Sequence, residues 1–155
     1  MIFSHLLKIK HLRKQKAEKQ VLQDKKQLTE QQQQLKITKQ QLHMLYHNHK
    51  EREEKFFQAH QQKAISAAQW HHWLAQLQYF QWQKDNLIKD MAIHTDKVNQ
   101  LENQLIESRK KLNFCIQQTE KFTQLTQQEK CAVEQLNEQR EEQEQEEFVR
   151  LSIGK

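Results

Sequence analysis

The strongest constraint on the fold is a seven-residue repeat of apolar side chains in the second half of the chain. Counting in sevens from Trp70 and from Trp73 defines two rows of ten core positions, which end at Val133 and Leu136. Fourteen of these twenty positions are apolar, although only 35% of the whole chain is apolar. Because Gln, Lys and Glu fill the intervening positions, the repeat predicts a coiled-coil helix rather than a globular core.

The first half of the chain carries a weaker repeat of the same period. Apolar residues recur on one row from Leu7 to Phe56, interrupted by Lys14 and His49, and the companion row is mostly polar. A helix with so narrow an apolar face is marginal alone, so we expect it to be ordered by packing on the second helix. The sequence therefore predicts an all-α fold, a long antiparallel two-helix coiled-coil hairpin with unequal arms.

The boundaries of the two arms follow from capping signals, because the chain has no Pro and a single Gly near its end. Ser4 is a suitable N-cap for the first helix. The stretch Ser66-Ala67-Ala68-Gln69 fits a capping box, with Ile65 and Trp70 at the positions of a hydrophobic staple. We expect one domain with helix one at residues 4–60, a turn at 61–65, helix two at 66–147 and a tail at 148–155. Asn48-His49-Lys50-Glu51 is a rival cap, but its staple positions are the polar His47 and Arg52.

Charge is unevenly distributed, although the net charge is only +5. Residues 1–50 hold eleven Lys or Arg against three Asp or Glu, whereas residues 134–147 hold seven Glu against one Arg. With a turn near residue 64, the second helix extends past the first over residues 127–147. An apolar seam without an intramolecular partner, beside an acidic run, predicts a docking site.

Several classes of protein are disfavoured by the sequence. No apolar run approaches the ~20 residues of a membrane span, and the opening residues lack the pattern of a signal peptide. Cys115 and Cys131 lie about 24 Å apart along one predicted helix, too far for a disulfide within a monomer. We therefore expect reduced thiols, a cytoplasmic location and a monomer in isolation.

Catalytic and metal sites are also not expected. His43 and His47 share a helix face and His71 adjoins His72, but no companion ligands stand at suitable spacing, so we predict no metal and no cofactor. The chain has neither a catalytic constellation nor the glycines of a phosphate-binding loop, which predicts that it is not an enzyme. The basic residues of helix one have no interleaved aromatic side chains, so nucleic acid is not an expected partner.

Large apolar residues also fall off the seam of helix two, close to the turn. Trp82 occupies the heptad position most remote from the core, and Tyr79 lies three residues before it. Isolated exposed apolar residues are common, but exposed aromatic residues on one face are favoured binding anchors. A solvated face and a partner surface are both open interpretations of this pair.

Two stretches of the chain resemble known families. The run Leu6-Leu7-Lys8-Ile9-Lys10-His11-Leu12-Arg13, followed by Ala17-Glu18, is similar to the opening of the YscO family of bacterial type III secretion proteins. The segment Ala64-Ile65-Ser66-Ala67-Ala68-Gln69-Trp70 resembles the same region of the related flagellar FliJ family, although Ala64 stands where flagellar members often have Gly.

The resemblance implies a stalk at the cytoplasmic face of the inner membrane, peripheral to it. One end would enter a hexameric type III secretion ATPase, and the other would face an export gate protein or translocator chaperones. Carried onto this chain, the ATPase-facing residues are Leu6, Ile9, Leu12, Arg13, Ala17, Glu18, Val133 and Leu136. The residues that would face the gate or a chaperone are Tyr46, Tyr79, Phe80 and Trp82.

Two other functions are compatible with the same helices. One is a chaperone-escort or scaffold protein without a role in the ATPase ring, and the other is a general coiled-coil tether that dimerises through its free seam. A stable dimer would favour the tether, and an effect on ATP hydrolysis would favour the stalk.

Overall fold

The computed structural model describes residues 2–154, which form two long helices and no strand. Helix α1 spans Ile2–Ala59 and helix α2 spans Ala67–Ile153, with 58 and 87 residues respectively. The predicted all-α two-helix hairpin with unequal arms is therefore confirmed.

Packing divides the chain into two compact units. The first unit is Gln23–Leu105, which includes the connection between the helices. Within it, the Phe56 ring stacks on Trp73 with centroids 4.6 Å apart. Farther from the connection, His94 Nδ1 lies 3.4 Å from Gln31 Oε1. Earlier residues of α1 thus meet later residues of α2, as an antiparallel pair requires.

The second unit combines the chain up to Leu22 with the chain from Ile106 onward. Here the Phe3 and Phe122 rings lie 6.3 Å apart at a tilt of 58°. The Thr119 hydroxyl lies 3.5 Å from the Lys10 carbonyl and also donates to the Cys115 carbonyl at 2.7 Å. The helices are antiparallel in this unit too.

The heptad rows coincide with the buried surface. Of the twenty predicted core positions on α2, only Trp70, Val133 and Leu136 are exposed. The α1 row from Leu7 to Phe56 is buried or half-buried throughout, including its polar members. Any other heptad register would assign exposed residues to the core rows. The observed burial of these rows therefore confirms the predicted seam.

The start of α2 is capped as the sequence predicts. The Gln69 backbone N–H donates to Ser66 Oγ at 3.1 Å, and the Ser66 backbone N–H donates to Gln69 Oε1 at 3.2 Å. These two reciprocal hydrogen bonds satisfy amides that the first turn of a helix leaves without partners.

The connection between the helices contains no glycine, and Gln62, three residues after the end of α1, supplies a left-handed residue there. Its φ is 64°, a conformation that costs about 1 kcal/mol or more for a side chain other than glycine. The Lys63 backbone N–H donates to the His60 carbonyl at 3.3 Å, which closes a turn around Gln62. Residue Ala64, where the flagellar pattern has Gly, does not take a positive φ.

The helix ends differ from the expected boundaries. Helix α1 begins at Ile2, so Ser4 lies inside it, and α2 continues to Ile153 instead of stopping at residue 147. The segment expected as a tail at 148–155 is thus helical as far as Ile153, and Lys155 lies outside the described residues. Glu and Gln have high helix propensity, and Arg150 in the last turn is favoured by the helix dipole, so the acidic run continues the helix.

Removing the cap should measurably weaken the hairpin. We expect Ser66→Ala to lower the free energy of unfolding by about 1 kcal/mol, because the Gln69 amide loses its acceptor. Urea denaturation followed by circular dichroism measures the difference. Thr29→Ala is the control, since the Thr29 hydroxyl only donates to the Lys25 carbonyl within an exposed helical turn. Equal stability of the two variants would contradict a role for the capping box.

Candidate interaction surfaces

Phe122 lies in the last paired part of the two helices, whose seam on α2 stays half-buried as far as Glu129. Its ring contacts Phe3, and the Lys10 ammonium lies over the same ring, 5.2 Å from its centroid. A cation above an aromatic face is attracted by the ring quadrupole, so Lys10 joins the seam although its head is charged. These contacts place the beginning of α1 against the last paired turns of α2.

Beyond this pairing, α2 continues as an exposed helix. Every residue from Lys130 to Gly154 is exposed, and we call residues 130–153 the C-terminal overhang. Seven Glu and one Arg lie at 134–147 within it, and the seam residues Val133 and Leu136 are exposed there. A charged helix with few apolar residues gains no stability from a buried face, so this segment is available to a partner.

The far end of the overhang is apolar, which the sequence reading missed. Four large side chains in its last turns are exposed: Phe148, Val149, Leu151 and Ile153. The signal was present in the composition, since these residues follow directly on the Glu-rich run. The expected tail at 148–155 gives these residues no helix face, whereas the structure continues α2 to Ile153.

The predicted ATPase-facing residues of α1 separate into two groups. Ile9, Leu12, Arg13 and Glu18 are exposed, whereas Leu6 and Ala17 are half-buried. The exposed group can contact a partner directly, while the half-buried pair can do so only through its accessible edges. Ile2 is also exposed and was not predicted as a site residue.

The interior of the connected end is an aromatic stack. Trp73 is 7% exposed and lies parallel to Phe56, with an angle of 8° between the rings. His49 stacks on Phe80 at 3.8 Å and on Trp73 at 5.9 Å. The His49 imidazole therefore occupies a seam position among aromatic rings.

The predicted gate-facing or chaperone-facing residues lie on and around this stack. Tyr46 is exposed and meets the edge of Phe80, with centroids 5.8 Å apart. Phe80 is half-buried in the seam. Tyr79 and Trp82 stack on each other at 6.0 Å on the outside of α2, and both are exposed. Phe80 is thus mainly a packing residue, while the other three present aromatic surface to solvent.

The described residues hold neither a cluster of metal ligands nor a membrane-spanning segment. Over residues 2–154, no three His, Cys, Asp or Glu side chains converge as the ligands of a metal ion would. Within the same range, neither helix contains a segment long and apolar enough to cross a membrane.

Comparison with known proteins gives one match. A family model described as type III secretion protein YscO matches residues 3–151, which is nearly the whole chain. No curated protein matches the chain, and no solved structure matches it. Since the match spans both helices and the connection between them, the chain belongs to the YscO family of type III secretion proteins.

Proposed function

We propose that this protein is the non-enzymatic central stalk of a type III secretion ATPase complex. Its C-terminal overhang and the beginning of α1 would engage a hexameric export ATPase, and its aromatic connected end would face the export gate protein or a translocator chaperone. It would act as a monomer, peripheral to the cytoplasmic face of the inner membrane. Membership of the YscO family supports a role in type III secretion.

The observation that carries the proposal is the unpaired end of α2. Over residues 130–153 this helix is exposed on all sides, and exposed apolar side chains stand both at its beginning and at its end. A folded chain gains nothing internally from such a segment, so its apolar groups are best explained by burial in another protein. A single helix is narrow enough to enter the central opening of a ring.

The proposed mechanism follows from the mismatch between the symmetry of a two-helix hairpin and that of a six-subunit ring. A two-helix hairpin has no six-fold symmetry, so in a hexameric ring it contacts the subunits unequally. Unequal contacts can bias the nucleotide states of the subunits, provided that they differ in free energy between at least two of those states. The protein needs no catalytic group of its own for this coupling.

Measuring ATP hydrolysis tests the proposal. We expect the purified export ATPase of the same secretion system to hydrolyse ATP faster, or to form more hexamer, when the full-length protein is added. A variant truncated after Glu129 keeps the paired helices but lacks the overhang, so it should lose most of the stimulation. An unchanged rate and an unchanged hexamer population with the full-length protein would leave a chaperone escort or general scaffold as the better account.

A further inference from the structure

Two exposed surfaces of the unit that contains both chain ends carry opposite charge. One is the start of α1 as far as Leu22, and the other is the C-terminal overhang. The start of α1 exposes one acidic residue, Glu18, and four basic residues, which are Lys8, Arg13, Lys16 and Lys19. The overhang holds seven Glu against one Arg over residues 134–147, all of them exposed.

These opposite charges cannot pair within one molecule. Helix α2 runs without interruption as far as Ile153, and the Phe3 ring near the start of α1 meets Phe122. Because the two helices are antiparallel, the overhang continues past the first residues of α1 and leads away from them. The Glu-rich run therefore lies beyond the basic residues of its own chain.

Apolar side chains flank the charges at the same spacing on both surfaces. On α1, Ile9 and Leu22 are thirteen residues apart, with three exposed basic residues between them. On the overhang, Leu136 and Val149 are also thirteen residues apart, with six Glu between them. All four apolar residues are exposed, and each pair spans about 20 Å along its helix. The two surfaces thus match in apolar spacing and are opposite in charge.

We propose that two copies of this chain form a reciprocal dimer, in which the overhang of each copy lies along the start of α1 of the other. A two-fold axis perpendicular to the helices makes each overhang parallel to the partner's α1. Leu136 would then lie near the partner subunit's Ile9, and Val149 near the partner subunit's Leu22. The Glu-rich run would lie beside the basic residues between them, so that the same contact forms twice.

Charge disfavours the other ways of pairing two copies. A dimer made by two overhangs, as a general tether would require, brings two Glu-rich runs together. A dimer made by two copies of the start of α1 brings basic residues together in the same way. The reciprocal arrangement places opposite charges side by side at both of its contacts, while the flanking apolar groups supply affinity.

The dimer goes beyond the proposed function and does not rest on it. Its contacts would cover surfaces that the stalk proposal assigns to the ATPase, so the dimer would be a reserve form that must dissociate before the stalk enters the ring. Exposed ion pairs are individually weak and are screened by salt, so we expect a dissociation constant on the order of 10 μM at low salt. The monomer expected from the sequence then corresponds to the dilute protein.

Charge reversal on each surface in turn tests the reciprocal contact. Lys16→Glu/Lys19→Glu changes the start of α1, and Glu144→Lys/Glu147→Lys changes the overhang. Each variant alone should be monomeric in static light scattering at about 100 μM protein, because each brings like charges together at both contacts. An equimolar mixture of the two should recover the dimer, since every reversed surface then meets a surface of opposite charge.

The parent protein and a matched variant are the controls. The parent should approach twice the 19.0 kDa mass of one chain at the same concentration and return to one chain at about 1 M salt. Lys36→Glu/Lys39→Glu has the same spacing and the same change in net charge, but lies on an exposed part of α1 in the other unit. It should dimerise like the parent. Circular dichroism verifies that every variant keeps the parent's helix content.

Three results would overturn the reciprocal dimer. The first is a parent protein that stays monomeric at about 100 μM and low salt. The second is undiminished dimerisation of Lys16→Glu/Lys19→Glu, which would show that the start of α1 is not in the contact, as in a dimer of two overhangs. The third is an equimolar mixture that stays monomeric. None of these results changes the stimulation of ATP hydrolysis by which the stalk is tested.

Discussion

Replacing Trp73 with alanine is expected to lower the free energy of unfolding by about 3–5 kcal/mol. The Trp73 side chain is 7% exposed, and its ring stacks on both Phe56 and His49. Truncating this side chain to alanine leaves a cavity between the two helices next to their connection. The Phe56 and His49 rings also lose a stacking partner. Urea denaturation followed by circular dichroism measures the loss as a lower midpoint at unchanged slope.

Trp82→Ala is the matched control for this result. Trp82 lies on the same helix but is 61% exposed, and its ring contact is with Tyr79 on the outer face. Its truncation should change the free energy of unfolding by no more than about 0.5 kcal/mol. If the two tryptophan variants were equally stable, the assignment of Trp73 to the seam and of Trp82 to the surface would be contradicted.

The second large effect is expected at Val98, a seam residue of the first unit. Val98 is 8% exposed, so Val98→Asp places a carboxylate in the seam without a designed partner. Leaving a charge buried and uncompensated costs about 3–5 kcal/mol, a large fraction of the stability of a thin coiled coil. Because the two helices stabilise each other, we expect both to lose helicity at a lower temperature.

Ile93→Asp serves as the comparison for Val98→Asp. Ile93 is 52% exposed on the same helix, five residues earlier, and a carboxylate there remains hydrated. Thermal unfolding followed by circular dichroism should give a midpoint close to that of the parent protein for Ile93→Asp and a much lower one for Val98→Asp. A similar fall in both variants would show that the heptad register is displaced.

Much of the fold could be predicted because a coiled coil repeats its signal many times. The seam on α2 was predicted from period alone, and the three exposed exceptions have physical causes. Val133 and Leu136 lie in the overhang, where α1 offers no partner. Trp70 stands in the first turn of α2, next to the connection. Capping of α2 by Ser66 and Gln69 was likewise predicted, since the capping box is local chemistry.

Polar seam positions show where the sequence was less informative. The sequence identifies Thr119 and Glu129 as interruptions of the apolar row, but not how each is accommodated. Thr119 donates its hydroxyl to the Cys115 carbonyl within its own helix. Glu129 keeps one carboxylate oxygen buried without a hydrogen-bond partner among the described residues. Such outcomes depend on side-chain geometry, which a heptad count does not contain.

The helix ends and the turn depended on weaker signals. Without Pro or Gly at the turn, the sequence could not show that Gln62 adopts the positive φ. The expected end of α2 at residue 147 is too early, because the heptad seam gives no signal beyond Leu136 that would extend the helix to Ile153. Which surfaces bind partners could be suggested from exposed residues and resemblance, but contacts within one chain do not identify another protein.

Photo-crosslinking in the assembled secretion complex tests the orientation of the proposed stalk most directly. A benzophenone side chain would replace Leu136 in the overhang in one strain and Trp82 at the aromatic end in another. We expect the probe at position 136 to crosslink to the export ATPase, and the probe at position 82 to crosslink to the gate protein or a chaperone. A crosslink from position 82 to the ATPase together with one from position 136 to the gate protein, or no ATPase adduct from position 136, would contradict the proposed orientation of the stalk.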